Sequence, residues 1–134
     1  MFVIFIFIIN FKKYFNYKMT NLVDLESDKH FDQLRNDNTV LIFDCWANWC
    51  GPCKKIAPEF KKLSEKFAHN QHIKFVKHNV DNDFPQIPHS NDIEYIPTFF
   101  VYSKDTKRYR KFKANEFNNM KNLISLIDQK LLQK

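Results

Sequence analysis

Cys50 and Cys53 stand two residues apart with Gly51 and Pro52 between them, where an apolar run gives way to an amphipathic one. Thiols at this spacing either exchange with a disulfide or share a metal ion. Gly51 is the only glycine in 134 residues, so the one residue without a Cβ sits between two sulfurs. Six residues upstream of Cys50, Asp44 interrupts a strongly apolar segment. A buried carboxylate is costly unless partnered, so an acid there is a second candidate for chemistry.

Composition narrows the classes. The length fits one domain whose core supports itself without disulfide staples. Apolar residues make up 44% and charged residues 27% of the chain, a globular balance. Net charge is +6, but Lys12, Lys13 and Lys18 lie in residues 1–18 with no acid beside them, leaving 18 basic against 15 acidic groups elsewhere. That surplus is too mild to argue for nucleic acid. Three cysteines, two of them in one Cys-x-x-Cys, do not make the disulfide framework of a small secreted domain.

The elements that would position the cysteines follow from periodicity. Leu22–Leu25 is a short strand, and Ser27 followed by Asp28 caps a helix running to about Arg35. Thr39–Ala47 is a near-continuous apolar run of strand formers, the mark of a central strand buried on both faces. After the cysteines, Ile56, Phe60, Leu63 and Phe67 recur at helical spacing, with Pro58 expected to bend the helix and Asn70-Gln71 to end it. Ile73–Val80 is a strand, Asp81–Asp92 an irregular stretch or short helix, and Ile96–Tyr102 a strand opening on Pro97. Lys107–Lys113 is a basic edge strand, and Asn115 caps a last helix whose stripe is Phe117, Met120, Leu123, Ile124, Ile127 and Leu131.

Residues Phe2–Ile9 are eight consecutive apolar residues. This is too short for a membrane-spanning helix, which needs about 20, and it lacks the preceding basic residue and the small-x-small site of a secretory signal. We therefore expect a domain over residues 19–134. Residues 1–18 are read as an upstream extension or a targeting segment. Any membrane association would run through those residues alone.

The segment Phe43-Asp44-Cys45-Trp46-Ala47-Asn48-Trp49-Cys50-Gly51-Pro52-Cys53-Lys54, together with Ile56-Ala57-Pro58, Lys77, Asn79-Val80-Asp81 and Ile96-Pro97-Thr98, resembles the thioredoxin family from Leu22 to the C-terminus. The resemblance implies an α/β thioredoxin fold, a central mixed β-sheet of about five strands flanked by about four helices. It also implies a cis Pro97 lying against the cysteines. Cys50, at a helix N-terminus where free N–H groups and the dipole favour a thiolate, is the expected nucleophile, and the more buried Cys53 the second thiol. Gly51 and Pro52 are expected to permit tight entry into the helix. Asp44 maps to a buried acid that takes the Cys53 proton through a water, and Lys77 to its charge partner. Trp49, Tyr95 and the Ile96 backbone would meet substrate, and Trp46 would pack beneath the site.

The activity so implied is dithiol–disulfide oxidoreduction through Cys50 and Cys53, with no cofactor beyond their redox-active disulfide. Gly-Pro between the cysteines resembles the reducing members, so reduction of protein disulfides leads. An oxidase or isomerase of an oxidising compartment, or a docking subunit with the same fold, are the alternatives. Expected partners are disulfide-containing proteins and a reductase such as thioredoxin reductase. A monomer in the cytoplasm is expected, or a secretory or organellar protein if residues 1–18 are a targeting segment. No metal site is expected: no second cysteine pair follows, and His30, His69, His72, His78 and His89 lack ligand spacing. Cys45 reads as a small buried hydrophobe. Two departures from the family pattern, Tyr95 near the proline and Lys113 before the last helix, are expected to bear on substrate choice, either narrowing the groove or favouring an acidic partner. The basic stripe Lys107–Lys113 reads first as edge-strand charges that block unwanted pairing.

Overall fold

The computed structural model describes residues 21–132; the expected extension over residues 1–18 lies outside them. In chain order the elements are β1 (Leu22–Asp24), α1 (Asp28–Asp37), β2 (Val40–Trp46), α2 (Gly51–Lys66), β3 (Ile73–Asn79), β4 (Thr98–Ser103), β5 (Arg108–Lys113) and α3 (Phe117–Leu132). Short 3-10 turns occur at Ser90–Asp92 and Ala114–Glu116. The five strands form one sheet in the order β1-β3-β2-β4-β5. β1, β3 and β2 run parallel, and β4 and β5 antiparallel to their neighbours.

β2 is central because every side chain along it but the last, Trp46, is buried. Successive side chains point to opposite faces of a strand, and the two faces serve two cores. Val40 and Ile42 pack with Phe60 and Leu63 of α2 and Phe117, Met120 and Ile124 of α3. Leu41, Phe43 and Cys45 pack with Phe31 and Leu34 of α1 and with Phe84 and Ile87 of the β3–β4 connection. The sheet is thus sandwiched between α2 and α3 on one side and α1 on the other, the layering that a strand apolar on both faces requires.

The described residues hold three α-helices where about four were expected. The difference lies in the β3–β4 connection, which forms only the single turn Ser90–Asp92. Pro85 and Pro88 each remove a backbone donor there, and Phe84 and Ile87 are buried against α1 without forming a helix of their own. The connection is closed by hydrogen bonds from Ile87 N–H to Phe84 O (3.2 Å), Ser90 N–H to Ile87 O (3.0 Å) and Ser90 Oγ to Phe84 O (2.8 Å).

Helix ends differ in how well local chemistry anticipates them. Ser27 caps α1 as expected, its Oγ accepting from His30 N–H at 2.9 Å. Asn115 does not cap α3; it lies within the 3-10 turn, and Glu116 accepts from Lys113 N–H at 2.8 Å. α2 continues through Pro58 and ends at Lys66, ahead of the expected Asn70-Gln71. Asn70 instead donates to Asp128 Oδ1 at 2.8 Å, and His69 Nε2 meets the same atom at 3.1 Å, tying the α2–β3 loop to α3. Lys107, at φ 56°, takes the left-handed position of the β4–β5 turn that glycine would fill in most chains.

Candidate active site

The redox pair sits where β2 hands over to α2. Cys50 is the N-cap of α2, with extended backbone, and its N–H donates to Ala47 O at 3.1 Å. Its Sγ accepts from Cys53 N–H at 3.2 Å, so one of the free donors of the first helical turn points at the sulfur. Cys50 and Cys53 are joined as a disulfide, their Cα atoms 5.3 Å apart. Both are buried, Cys53 more deeply, while Gly51 and Pro52 above them are exposed. Gly51 is not needed for the turn, since a Cβ added there meets nothing within 4 Å.

The opposite wall comes from the segment leading into β4. The Ile96–Pro97 peptide bond is cis, as the resemblance implies, and Cys50 Sγ lies 3.8 Å from Ile96 O. Thr98 is fully buried and its hydroxyl donates to Tyr95 O, pinning the segment across the proline. Trp49 is 70% exposed and donates from Nε1 to Asp81 Oδ1 at 3.2 Å. Beside it opens a cavity of about 670 Å³ lined by Trp49, Tyr95, Ile96, Phe84 and the acids Asp81, Asp83 and Glu94. Tyr95 is partly exposed at the rim, with Lys111 Nζ and Lys113 Nζ 5.5 and 5.6 Å from its ring centroid. Lys111 also pairs with Asp92 (3.3 Å) and Glu94 (3.7 Å). The rim is therefore of mixed sign, with basic groups on β5 and acids along the cavity.

Asp44 is 1% exposed, and no hydrogen bond reaches either of its carboxylate oxygens among the described residues. Burial raises its pKa to about 7, and the Lys77 charge draws it down only in part. The register explains the pairing: Asp44 stands directly opposite Lys77 in the parallel β2/β3 ladder, so both side chains share a face. Trp46, two residues on, shares that face too. Lys77 Nζ lies 4.6 Å from the Trp46 ring centroid, and the buried Trp46 Nε1 makes no hydrogen bond among the described residues. Lys77 thus reaches Asp44 through its field while resting on the indole face.

The other face of β2 carries a group that spacing along the chain does not reveal. Cys45 lies opposite His78 in the same ladder, with Cys45 Sγ 3.9 Å from His78 Nδ1. His89, from the β3–β4 connection, brings its Nε2 to 3.2 Å from that nitrogen. All three side chains are buried. Burial lowers His78 to about 4, and burial with the neighbouring ring lowers His89 to about 3, so both are neutral at pH 7. Burial, then the Asp44 charge, push the Cys45 thiol well above its ordinary value.

Comparison with known proteins agrees with this geometry. The Thioredoxin family model matches residues 21–129. A thioredoxin of Coprinus comatus is 43% identical over 77 residues, 58% of this chain and 71% of its own. That of Mycoplasma pneumoniae is 31% identical over 108 residues, covering 81% of this chain and 99% of its own. Among solved structures, the reduced Schistosoma mansoni thioredoxin pre-protein has a TM-score of 0.59 at 32% identity, covering 75% of this chain and 95% of its own. Malassezia sympodialis thioredoxin has a TM-score of 0.62 at 27% identity, covering 76% and 91%. The chain belongs to the thioredoxin family and is a thiol–disulfide oxidoreductase.

Proposed function

We propose that the protein reduces disulfides of other proteins, with Cys50 as attacking thiol and Cys53 as resolving thiol. The observation that carries this reading is the position of Cys50 Sγ, at the first turn of α2, accepting the Cys53 N–H and 3.8 Å from Ile96 O. At a helix N-terminus the thiolate is favoured over the thiol. In the reduced protein it attacks one sulfur of the substrate disulfide, forming a mixed disulfide and releasing the other sulfur as a thiol. Cys53 then gives its proton to Asp44 through a water and attacks Cys50 Sγ. The second substrate sulfur leaves as a thiol, two electrons have passed to substrate, and the Cys50–Cys53 disulfide remains. A reductase such as thioredoxin reductase returns the two electrons.

Several features support the assignment of partners to walls. Pro97 has no N–H to compete for the sulfurs, while the Ile96 carbonyl beside Cys50 can accept from an extended substrate backbone. Trp49 offers an exposed apolar face on the other side. Asp44, with a pKa near 7, can both accept and release a proton near neutrality. A reductant of this kind works where thiols are kept reduced, for which we propose the cytoplasm.

Insulin reduction in the presence of dithiothreitol tests the reading. Wild type should accelerate precipitation of the insulin B chain, and Cys50→Ser should fall to the uncatalysed rate. Equal rates for the two proteins would leave a docking subunit as the better description.

A further inference from the structure

We infer that Cys45, His78 and His89 form a site for one thiophilic transition-metal ion, zinc(II) foremost, separate from the redox pair. Their ligand atoms, Cys45 Sγ, His78 Nδ1 and His89 Nε2, all lie within 4.8 Å of one another. Two of the separations are 3.9 Å (Sγ to His78 Nδ1) and 3.2 Å (between the ring nitrogens). On a tetrahedral zinc, with N at about 2.0–2.1 Å and S at about 2.3 Å, neighbouring donors stand roughly 3.3 to 3.6 Å apart. The two separations of 3.9 and 3.2 Å each lie within a few tenths of an ångström of these values, and the third pair closes to the same spacing from within 4.8 Å. The set of one thiolate and two imidazoles suits zinc and copper and disfavours magnesium and calcium, which seek oxygen.

The donors are held in place before any ion arrives. Cys45 and His78 are register partners on adjacent strands, β2 and β3. The His89 ring is stacked on Phe100 at 4.5 Å between centroids and lies 4.5 Å from Phe43. Its backbone precedes the Ser90–Asp92 turn, where Asp92 N–H donates to His89 O at 2.9 Å. Preorganisation of this kind is what distinguishes a site from a chance cluster. A route in also exists, because His78 lines the cavity of about 670 Å³ beside Trp49. Solvent reaching the ion along that cavity would complete a fourth position. A bound ion would join β2 and β3 to the connection that leads into Ile96–Pro97.

The oxidised full-length protein gives a clean test. With Cys50 and Cys53 in their disulfide, Cys45 is the one remaining thiol of three cysteines. Titration with cobalt(II), the spectroscopic stand-in for zinc, should show one equivalent bound with a near-ultraviolet thiolate-to-cobalt charge-transfer band, displaced by zinc. Cys45→Ser should abolish the band. His89→Gln should weaken binding by more than the roughly 10- to 100-fold expected for loss of an outer-shell partner. His69→Gln, on a half-exposed histidine paired with Asp128, should leave the band unchanged. Absence of the band from folded wild-type protein would overturn the proposal whatever the variants do, as would a band of full strength in Cys45→Ser.

Discussion

Asp44 and Cys45 are neighbours on β2, and both are buried to about the same degree, yet they face different halves of the molecule. Asp44 points to the side of α2 and α3, where Lys77 and Trp46 share its face and no group among the described residues hydrogen-bonds its oxygens. Cys45 points to the side of α1, where His78 and His89 close around it. The carboxylate is held in a state that gains or loses a proton near pH 7. The thiol and the two rings are neutral there and form a packed, stacked cluster. One strand thus carries a proton-transfer group on one face and a ligand cluster on the other. The pleat of the strand, which reverses direction at each residue, is what keeps them apart.

The difference between the two faces of β2 should be largest in stability. An unfolded Asp ionises at about 3.9, whereas Asp44 in the fold ionises at about 7. Between these values the folded chain holds a proton that the unfolded chain has lost, so stability falls as pH rises through that window and levels off above it. Asp44→Asn should remove this slope and stabilise the protein at pH 8 by an amount on the order of 4 kcal/mol at most. Cys45→Ala should instead give a loss of roughly 1 kcal/mol with no change in slope. Urea denaturation at pH 5 and pH 8 checks both, and a parallel pH profile for wild type and Asp44→Asn would contradict the buried-acid assignment.

A second effect is kinetic. Asp44→Asn should slow resolution of the mixed disulfide at pH 7 by about 100-fold, the lower range for a positioned proton acceptor. Attack by Cys50 should remain largely intact, and Cys45→Ala should leave both steps unchanged. Single-turnover measurement of mixed-disulfide formation and decay separates the steps, and unchanged turnover in Asp44→Asn would remove it from the mechanism. The smallest effect concerns the rim. Tyr95→Gly removes a ring held near Lys111 and Lys113, and should broaden the range of disulfides reduced by a few-fold in kcat/KM for bulky substrates; no change would exclude Tyr95 from substrate choice.

What the sequence made legible follows from how local each signal is. Cys50, Cys53 and the helix they open lie in one continuous stretch, and Asp44 stands out as an acid within an apolar strand. Lys77 came from the family pattern, and the register then placed it opposite Asp44. The cysteine–histidine cluster was not legible, because His78 and Cys45 are 33 residues apart and meet only through strand register. Spacing rules for metal ligands work along one helix or loop and do not see across a parallel ladder. The count of about four helices came from the family pattern, whereas the residues of Asp81–Asp92, with Pro85 and Pro88, already read as irregular or a short helix, and the single turn Ser90–Asp92 forms there. The acidic-partner expectation from Lys113 and the basic edge strand rested on one rim. Asp81, Asp83 and Glu94 supply the opposite charge along the cavity on the other.

The direction in which the Cys50–Cys53 pair moves electrons separates a reductant from an oxidant. Equilibrating the protein with glutathione buffers and following the ratio of dithiol to disulfide gives its reduction potential. A reductant should fall near the established value for thioredoxin, about −270 mV, whereas a value in the range of about −120 to −180 mV, where oxidising relatives lie, would contradict it.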